Sequence, residues 1–148
     1  MEIRAYDEIY LTDAQNILGH AFDFALVTLG FEIDDFTDKL VNAKASKQFE
    51  KGNPRYVTGM NGCEFVKEIY EEYEITIDHE DEMYLDKSPE YWCGWALAFY
   101  QWYSGKSFKE ILSVVTINRL LDMYPAFHEM DIMQFAEAMG EILKKGIK

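Results

Sequence analysis

The chain has 148 residues, of which 49% are hydrophobic and 28% are charged, a composition that predicts a folded domain with one core and argues against disorder. Asp and Glu number 27 against 14 Lys and Arg, and the resulting formal charge of −13 disfavours nucleic acid and anionic membranes as partners. Cys63 and Cys93 form no Cys-x-x-Cys pair, so we expect free thiols. We find no signal segment and no long apolar stretch, so we expect a cytoplasmic location and no membrane span.

The first predicted helix begins at Thr12 and ends near Leu29. Thr12 and Gln15 match a capping box, in which two side chains satisfy backbone amides at the start of a helix. Apolar residues then recur at helical spacing, and Gly30 readily adopts the left-handed backbone that ends many helices. We therefore expect one long amphipathic helix here.

Shorter helices are predicted next along the chain. Asp34 is the expected cap of the first of them, and the Gly-Asn-Pro sequence at 52–54 interrupts a helix that ends near Lys51. Asn61 with Glu64 three residues later forms a second capping box, which predicts another amphipathic helix.

An acidic connection follows at 71–86. It contains eight acidic residues and no Lys or Arg, and 75–77 is a candidate short strand. Its carboxylates lack the glycine that a calcium loop needs for its sharp turn, so an exposed connection is the favoured interpretation. The acidic residues are Glu71, Glu72, Glu74, Asp78, Glu80, Asp81, Glu82 and Asp86.

A strongly aromatic helix is predicted from Ser88 to Gly105. Ser88, Pro89 and Glu90 supply a cap, a proline at the first helical position and an acid near the positive end of the helix dipole. Apolar side chains then occur on nearly every side, a pattern typical of a helix that neighbours bury all round.

Three further helices complete the prediction, beginning after Ser107, Thr116 and Asp131, each a residue type that caps helices. The predicted fold class is mostly α. We expect a compact single domain over 1–148, a helical bundle around the central aromatic helix, with a small β element at 75–77 left open.

Candidate ligand-binding residues lie on the aromatic helix and in the polar break before the last helix. Aromatic rings stack on planar molecules or cations, and an imidazole beside a carboxylate is suited to acid, base or ligand roles. Core packing and helix capping are the competing interpretations, and the three histidines lack the spacing of a metal site. We predict no catalytic residue, cofactor or metal; the candidate pocket residues are Trp92, Trp95, Trp102, His128 and Glu129.

The segment 39–55 is basic, with five Lys and Arg against one acidic residue. Lys44, Lys47 and Lys51 share one helical face before a turn, as in a helix-turn-helix fragment that contacts phosphates. A solvated surface is the alternative interpretation.

The motif SPEYWCGWALAFYQWY at 88–103 resembles a family of short uncharacterised acidic bacterial proteins. The resemblance extends over most of the chain, through YLTDAQ at 10–15, QFEKGNP at 48–54, FKEI at 108–111 and MYPAFHEMD at 123–131. Because members of that family lie beside small genes that include ADP-ribosyltransferase-type toxins, the resemblance implies a toxin–antitoxin or mobile-element setting. It implies no catalytic residues.

The leading hypothesis is a non-enzymatic, antitoxin-like or accessory protein that binds a protein with a basic surface, with a co-encoded toxin as the candidate partner. Two alternatives stay open: a small-ligand-binding protein or enzyme with a pocket beside the aromatic helix, and a DNA-binding autoregulator through the basic segment. The predicted partner-binding residues are Glu71, Glu72, Glu80, Asp81, Glu82, Tyr84 and Tyr91.

Overall fold

The computed structural model describes residues 3–82 and 87–146, and the regular structure in these ranges is entirely helical. A 3₁₀ turn (Glu8–Tyr10) precedes α1, and a π-helical segment (Phe24–Thr28) follows it. The helices are α1 (Leu11–Asp23), α2 (Ile33–Asn42), α3 (Lys44–Glu50), α4 (Pro54–Val57), α5 (Gly62–Glu71), α6 (Pro89–Ser104), α7 (Phe108–Leu112), α8 (Ile117–Phe127) and α9 (Ile132–Gly146).

Helix α6 is the aromatic helix, and α1, α8 and α9 pack around it. Gly94 allows the backbones of α6 and α1 to approach closely, because a Cβ atom at this position would lie 2.3 Å from the carbonyl oxygen of Leu18 in α1. Eleven of the sixteen residues of α6 are buried. The predicted fold class, a mostly α bundle around this helix, is confirmed, whereas the candidate strand at 75–77 is wrong because that stretch is irregular and the described chain contains no strand that could pair with it.

The predicted start of α1 is wrong. Asp7 accepts a hydrogen bond from the backbone N–H of Ile9, and the resulting 3₁₀ turn leads directly into the helix at Leu11. Thr12 is therefore an exposed residue of the first turn, and Gln15 is buried rather than capping. The end of this helical region is as predicted, since Gly30 has a φ of +68°.

Local capping signals further along the chain are confirmed at most positions. Asn61 and Ser107 each form a reciprocal capping box with the glutamate three residues later. Ser88, Thr116 and Asp131 also accept hydrogen bonds from backbone amides of the helices they begin. Asp34 is the exception, because α2 begins at Ile33 and Asp34 lies within its first turn.

None of the described helices is both long enough and apolar enough to cross a membrane.

Candidate functional site

Lys67 of α5 fixes the acidic connection against the helical body. Its ammonium group donates hydrogen bonds to the carbonyl oxygen of His79 and, at 2.8 Å, to the carboxylate of Asp81. The side chain of Asn61 donates to the other carboxylate oxygen of Asp81 at 3.2 Å. The hydrogen bond from Lys67 holds the pKa of Asp81 below its usual value, so this carboxylate stays ionised and the contact persists at neutral pH.

A second contact under the same segment joins α1 and α5. His20 Nε2 lies 2.6 Å from the carbonyl oxygen of Glu82, and Cys63 Sγ lies 3.5 Å from both of these atoms. Cys63 and His20 are 43 residues apart, so local sequence patterns did not predict this contact. Burial raises the pKa of the Cys63 thiol, which favours its neutral form.

Most other residues of the connection from 71 to 80 have exposed side chains. Tyr73 and Ile75 are large apolar side chains that are 37% and 41% exposed, and the ammonium group of Lys39 lies 5.4 Å from the Tyr73 ring centroid. Exposed acidic residues surround them in the sequence, with no Lys or Arg from 71 to 82. We call this surface the acidic face, and it consists of Glu71, Tyr73, Glu74, Ile75, Asp78 and Glu80.

The turn that ends α5 places Glu74 in a conformation that favours glycine. Glu74 has a φ of +61°, and the backbone N–H of Ile75 donates to the carbonyl oxygen of Tyr70 at 3.1 Å. Together with the hydrogen bond from the N–H of Glu74 to the carbonyl oxygen of Glu71, this is a Schellman motif with glutamate at the glycine position. The left-handed conformation costs a non-glycine residue about 1–2 kcal/mol.

Some residues of the predicted partner site make contacts within the fold. The carboxylate of Glu72 accepts hydrogen bonds from the backbone amides of Lys44 and Ala45, at 2.7 and 3.0 Å, and thereby holds the start of α3. Tyr91, which we predicted to contact a partner, is only 2% exposed because it packs against Gly19 of α1. The prediction for Tyr84 falls outside the described residues.

Three of the predicted pocket residues do line one groove. Trp92, Trp95 and His128 border a cleft of about 280 Å³ between the beginning of α6 and the end of α8. We call this cleft the aromatic groove; its lining residues are Lys87, Tyr91, Trp92, Trp95, Tyr124 and His128.

The rings of the aromatic groove hold one another in place. The imidazole of His128 stacks on Tyr124, with ring centroids 4.2 Å apart and planes 15° apart, and its Nδ1–H donates to the Tyr124 carbonyl oxygen at 2.8 Å. Trp92 meets the Tyr124 ring edge-on at 5.8 Å. The ammonium group of Lys87 lies 5.6 Å from the ring of Tyr91.

The other two predicted pocket residues lie elsewhere. The indole N–H of Trp102 donates to the carbonyl oxygen of Tyr6 at 2.8 Å, and the guanidinium of Arg4 lies 5.5 Å from the Trp102 ring centroid, so the N-terminal segment packs on this side chain. Glu129 is outside the groove lining, with a side chain that is 88% exposed and an Oε1 atom 3.9 Å from His128 Nε2.

The basic residues Lys44, Lys47 and Lys51 are all exposed, in α3 and at its end. The helix that follows the turn, α4, has only four residues, which is about one turn and short for a recognition helix in a DNA groove. DNA binding through these lysines stays a prediction.

Comparisons of the chain with protein-family models, with curated proteins and with solved structures give no match. Within the described residues, no three His, Cys, Asp or Glu side chains are placed to hold a metal ion together. The acidic face and the aromatic groove are the candidate sites.

Proposed function

We propose that this chain is a non-enzymatic, antitoxin-like or accessory protein that binds a locally basic protein through the acidic face. The observation that supports the proposal is the pair of exposed apolar side chains, Tyr73 and Ile75, among acidic residues on a segment that Lys67 fixes to α5. An apolar centre with a charged rim is the usual construction of a protein–protein interface. The complex would form in the cytoplasm.

The fixed position of the segment favours binding on entropic grounds. Ordering a loop on association costs free energy, and the hydrogen bonds from Lys67 and Asn61 to Asp81 have already restricted part of this segment in the free protein. Strain supports the same interpretation, because Glu74 occupies a position where glycine would be more stable, and surface strain of this kind concentrates at functional sites.

The charge of the acidic face suggests what the partner carries. Its carboxylates would attract Lys and Arg side chains, speed association and make the affinity depend on ionic strength. The resemblance to proteins encoded beside ADP-ribosyltransferase-type toxins suggests a co-encoded toxin as the first partner to examine. A toxin surface rich in Lys or Arg would complement the chain's net charge of −13.

Charge reversal on the acidic face tests the proposal. In the triple variant Glu71→Lys, Asp78→Lys and Glu80→Lys, we expect affinity for the partner to fall by about tenfold or more at low salt, because attraction becomes repulsion at the rim. Affinity is measured by titration calorimetry with the partner. Asp81 and Glu72 are left unchanged because their carboxylates hold the backbone in place.

The matched control makes the same change of net charge on helices that pack against α6. Asp122→Lys, Glu137→Lys and Glu141→Lys alter exposed residues of α8 and α9 and should leave the affinity within about twofold of the original. Equal losses in both triple variants would mean that overall charge, not the acidic face, governs binding. An unchanged affinity in the first variant would exclude this face as the interface.

A further inference from the structure

The aromatic groove has rigid walls before any ligand arrives. In the first turns of α6, Trp95 lies four residues after Tyr91 and three after Trp92, and His128 caps α8 four residues after Tyr124, so helical spacing brings each of these pairs together. Trp92 is also fixed from behind, because Phe135 of α9 packs edge-on against it at 5.3 Å. Walls that do not need to rearrange lower the cost of binding.

The groove has the size and surface of a site for a small planar molecule. Its volume of about 280 Å³ is close to the lower end of the range for ligand pockets, roughly 300 Å³, and suits one or two fused rings. Trp95 is only half-buried, unlike the neighbouring Trp92, so one indole ring stays accessible in the groove. Aromatic side chains accept planar molecules by offset stacking or by edge-to-face contact.

The charge of the groove lining favours an anion. Among the described residues that line it, Lys87 is the one charged side chain and none carries a carboxylate, although the chain has a net charge of −13. The Nδ1–H group of His128 is occupied by the Tyr124 carbonyl oxygen, and the nearest carboxylate oxygen to Nε2, that of Glu129, is 3.9 Å away, too far for a hydrogen bond. With the proton on Nδ1, the neutral imidazole presents Nε2 as a hydrogen-bond acceptor, so the preference for an anion rests on Lys87.

We infer that the aromatic groove binds a planar aromatic acid, a molecule of one or two rings that carries a carboxylate or a phosphate. The ring packs against Trp95 and the Tyr124–His128 pair, and the acid group pairs with the ammonium of Lys87. This site is separate from the acidic face and does not depend on the proposed partner.

The three tryptophan side chains provide the measurement, because each gives its own indole N–H signal in a ¹H–¹⁵N spectrum. Titration with 2-naphthoate or with 2-naphthyl phosphate should shift the signals of Trp92 and Trp95. The signal of Trp102 should not move, since its N–H is bonded to Tyr6 away from the groove. The relative affinities of the two probes distinguish a carboxylate ligand from a phosphate ligand.

Two variants assign the groups that bind. Lys87→Met should weaken 2-naphthoate about threefold, as expected for an exposed ion pair, and should leave the neutral 2-naphthamide unchanged. Trp95→Leu should weaken both compounds, because it removes the accessible ring. An unshifted Trp102 signal in each free variant shows that the fold is intact.

Several results would overturn the inference. One is the absence of shifts in Trp92 and Trp95 with millimolar 2-naphthoate. A second is binding of 2-naphthylmethylamine as tight as that of 2-naphthoate, which would indicate a cation site. A third is a shift of all three indoles together, which would indicate non-specific association. The triple variant of the acidic face should bind 2-naphthoate normally, so failure here is distinguishable from failure of the proposed partner site.

Discussion

Replacing Gly94 with alanine should lower the free energy of unfolding by about 3 kcal/mol, the upper end of the usual cost of overpacking a core. The added Cβ would lie 2.3 Å from the Leu18 carbonyl oxygen and 2.8 Å from its carbonyl carbon. These are backbone atoms in the middle of α1, so the clash is relieved only by moving α1 away from α6. The loss is measured by urea denaturation followed by circular dichroism.

Gly140 supplies the matched control for this substitution. It lies inside α9, and a Cβ there would meet no atom within 4 Å. Gly140→Ala should therefore stabilise the protein by about 0.5–1 kcal/mol, because alanine loses less backbone entropy in a helix than glycine. If Gly94→Ala were as stable as the original chain, the close approach of α1 and α6 at this point would be incorrect.

Replacing Trp92 with alanine should cost about 3–5 kcal/mol, the range expected for truncation of a large buried aromatic side chain. The indole is buried and packs edge-on against Tyr124 of α8 and Phe135 of α9, so its removal leaves a cavity where three helices meet. Thermal and urea unfolding measure the loss.

The same change at Trp95 provides the comparison. Trp95 belongs to the same helix but is half-buried and borders the aromatic groove, so Trp95→Ala should cost less than half as much. Equal losses at the two positions would show that the groove is part of the packed core rather than an accessible site.

Hydrogen bonds between residues within one helical turn could be predicted from the sequence. The capping boxes at Asn61 and Ser107 depend on residues three positions apart, and both are present as predicted. Thr12 matches the same pattern, yet the 3₁₀ turn that Asp7 begins extends the helix past it. A capping pattern shows that a helix can start at a residue, and the preceding residues decide whether it does.

Contacts between segments that are distant along the chain could not be predicted from the sequence. A strand at 75–77 needs a neighbouring strand, and local composition carries no information about one. The contact between His20 and Cys63 joins α1 to α5, and Lys67 reaches Asp81 across a turn. These long-range contacts decide which acidic residues support the fold and which belong to the acidic face.

The aromatic groove was predictable in part. Trp92 and Trp95 were identifiable from the aromatic motif, and His128 from the polar break before the last helix. The stacking of His128 on Tyr124 was not predicted, because the sequence placed His128 outside the helix that carries Tyr124. Trp102 looked equivalent to Trp92 and Trp95 in the sequence. The difference is the N-terminal segment, which packs against Trp102 through Arg4 and Tyr6, about a hundred residues away along the chain.

The most direct test of the central claim, a locally basic protein partner bound at the acidic face, is capture from the native host. Tagged protein is recovered at low and at moderate salt, and co-purifying proteins are identified and quantified by mass spectrometry. We expect one stoichiometric partner with a basic surface, encoded nearby, that moderate salt releases and that the acidic-face triple variant fails to retain. Recovery of the chain alone at low salt, or of a partner that the triple variant retains equally well, would contradict the proposed function.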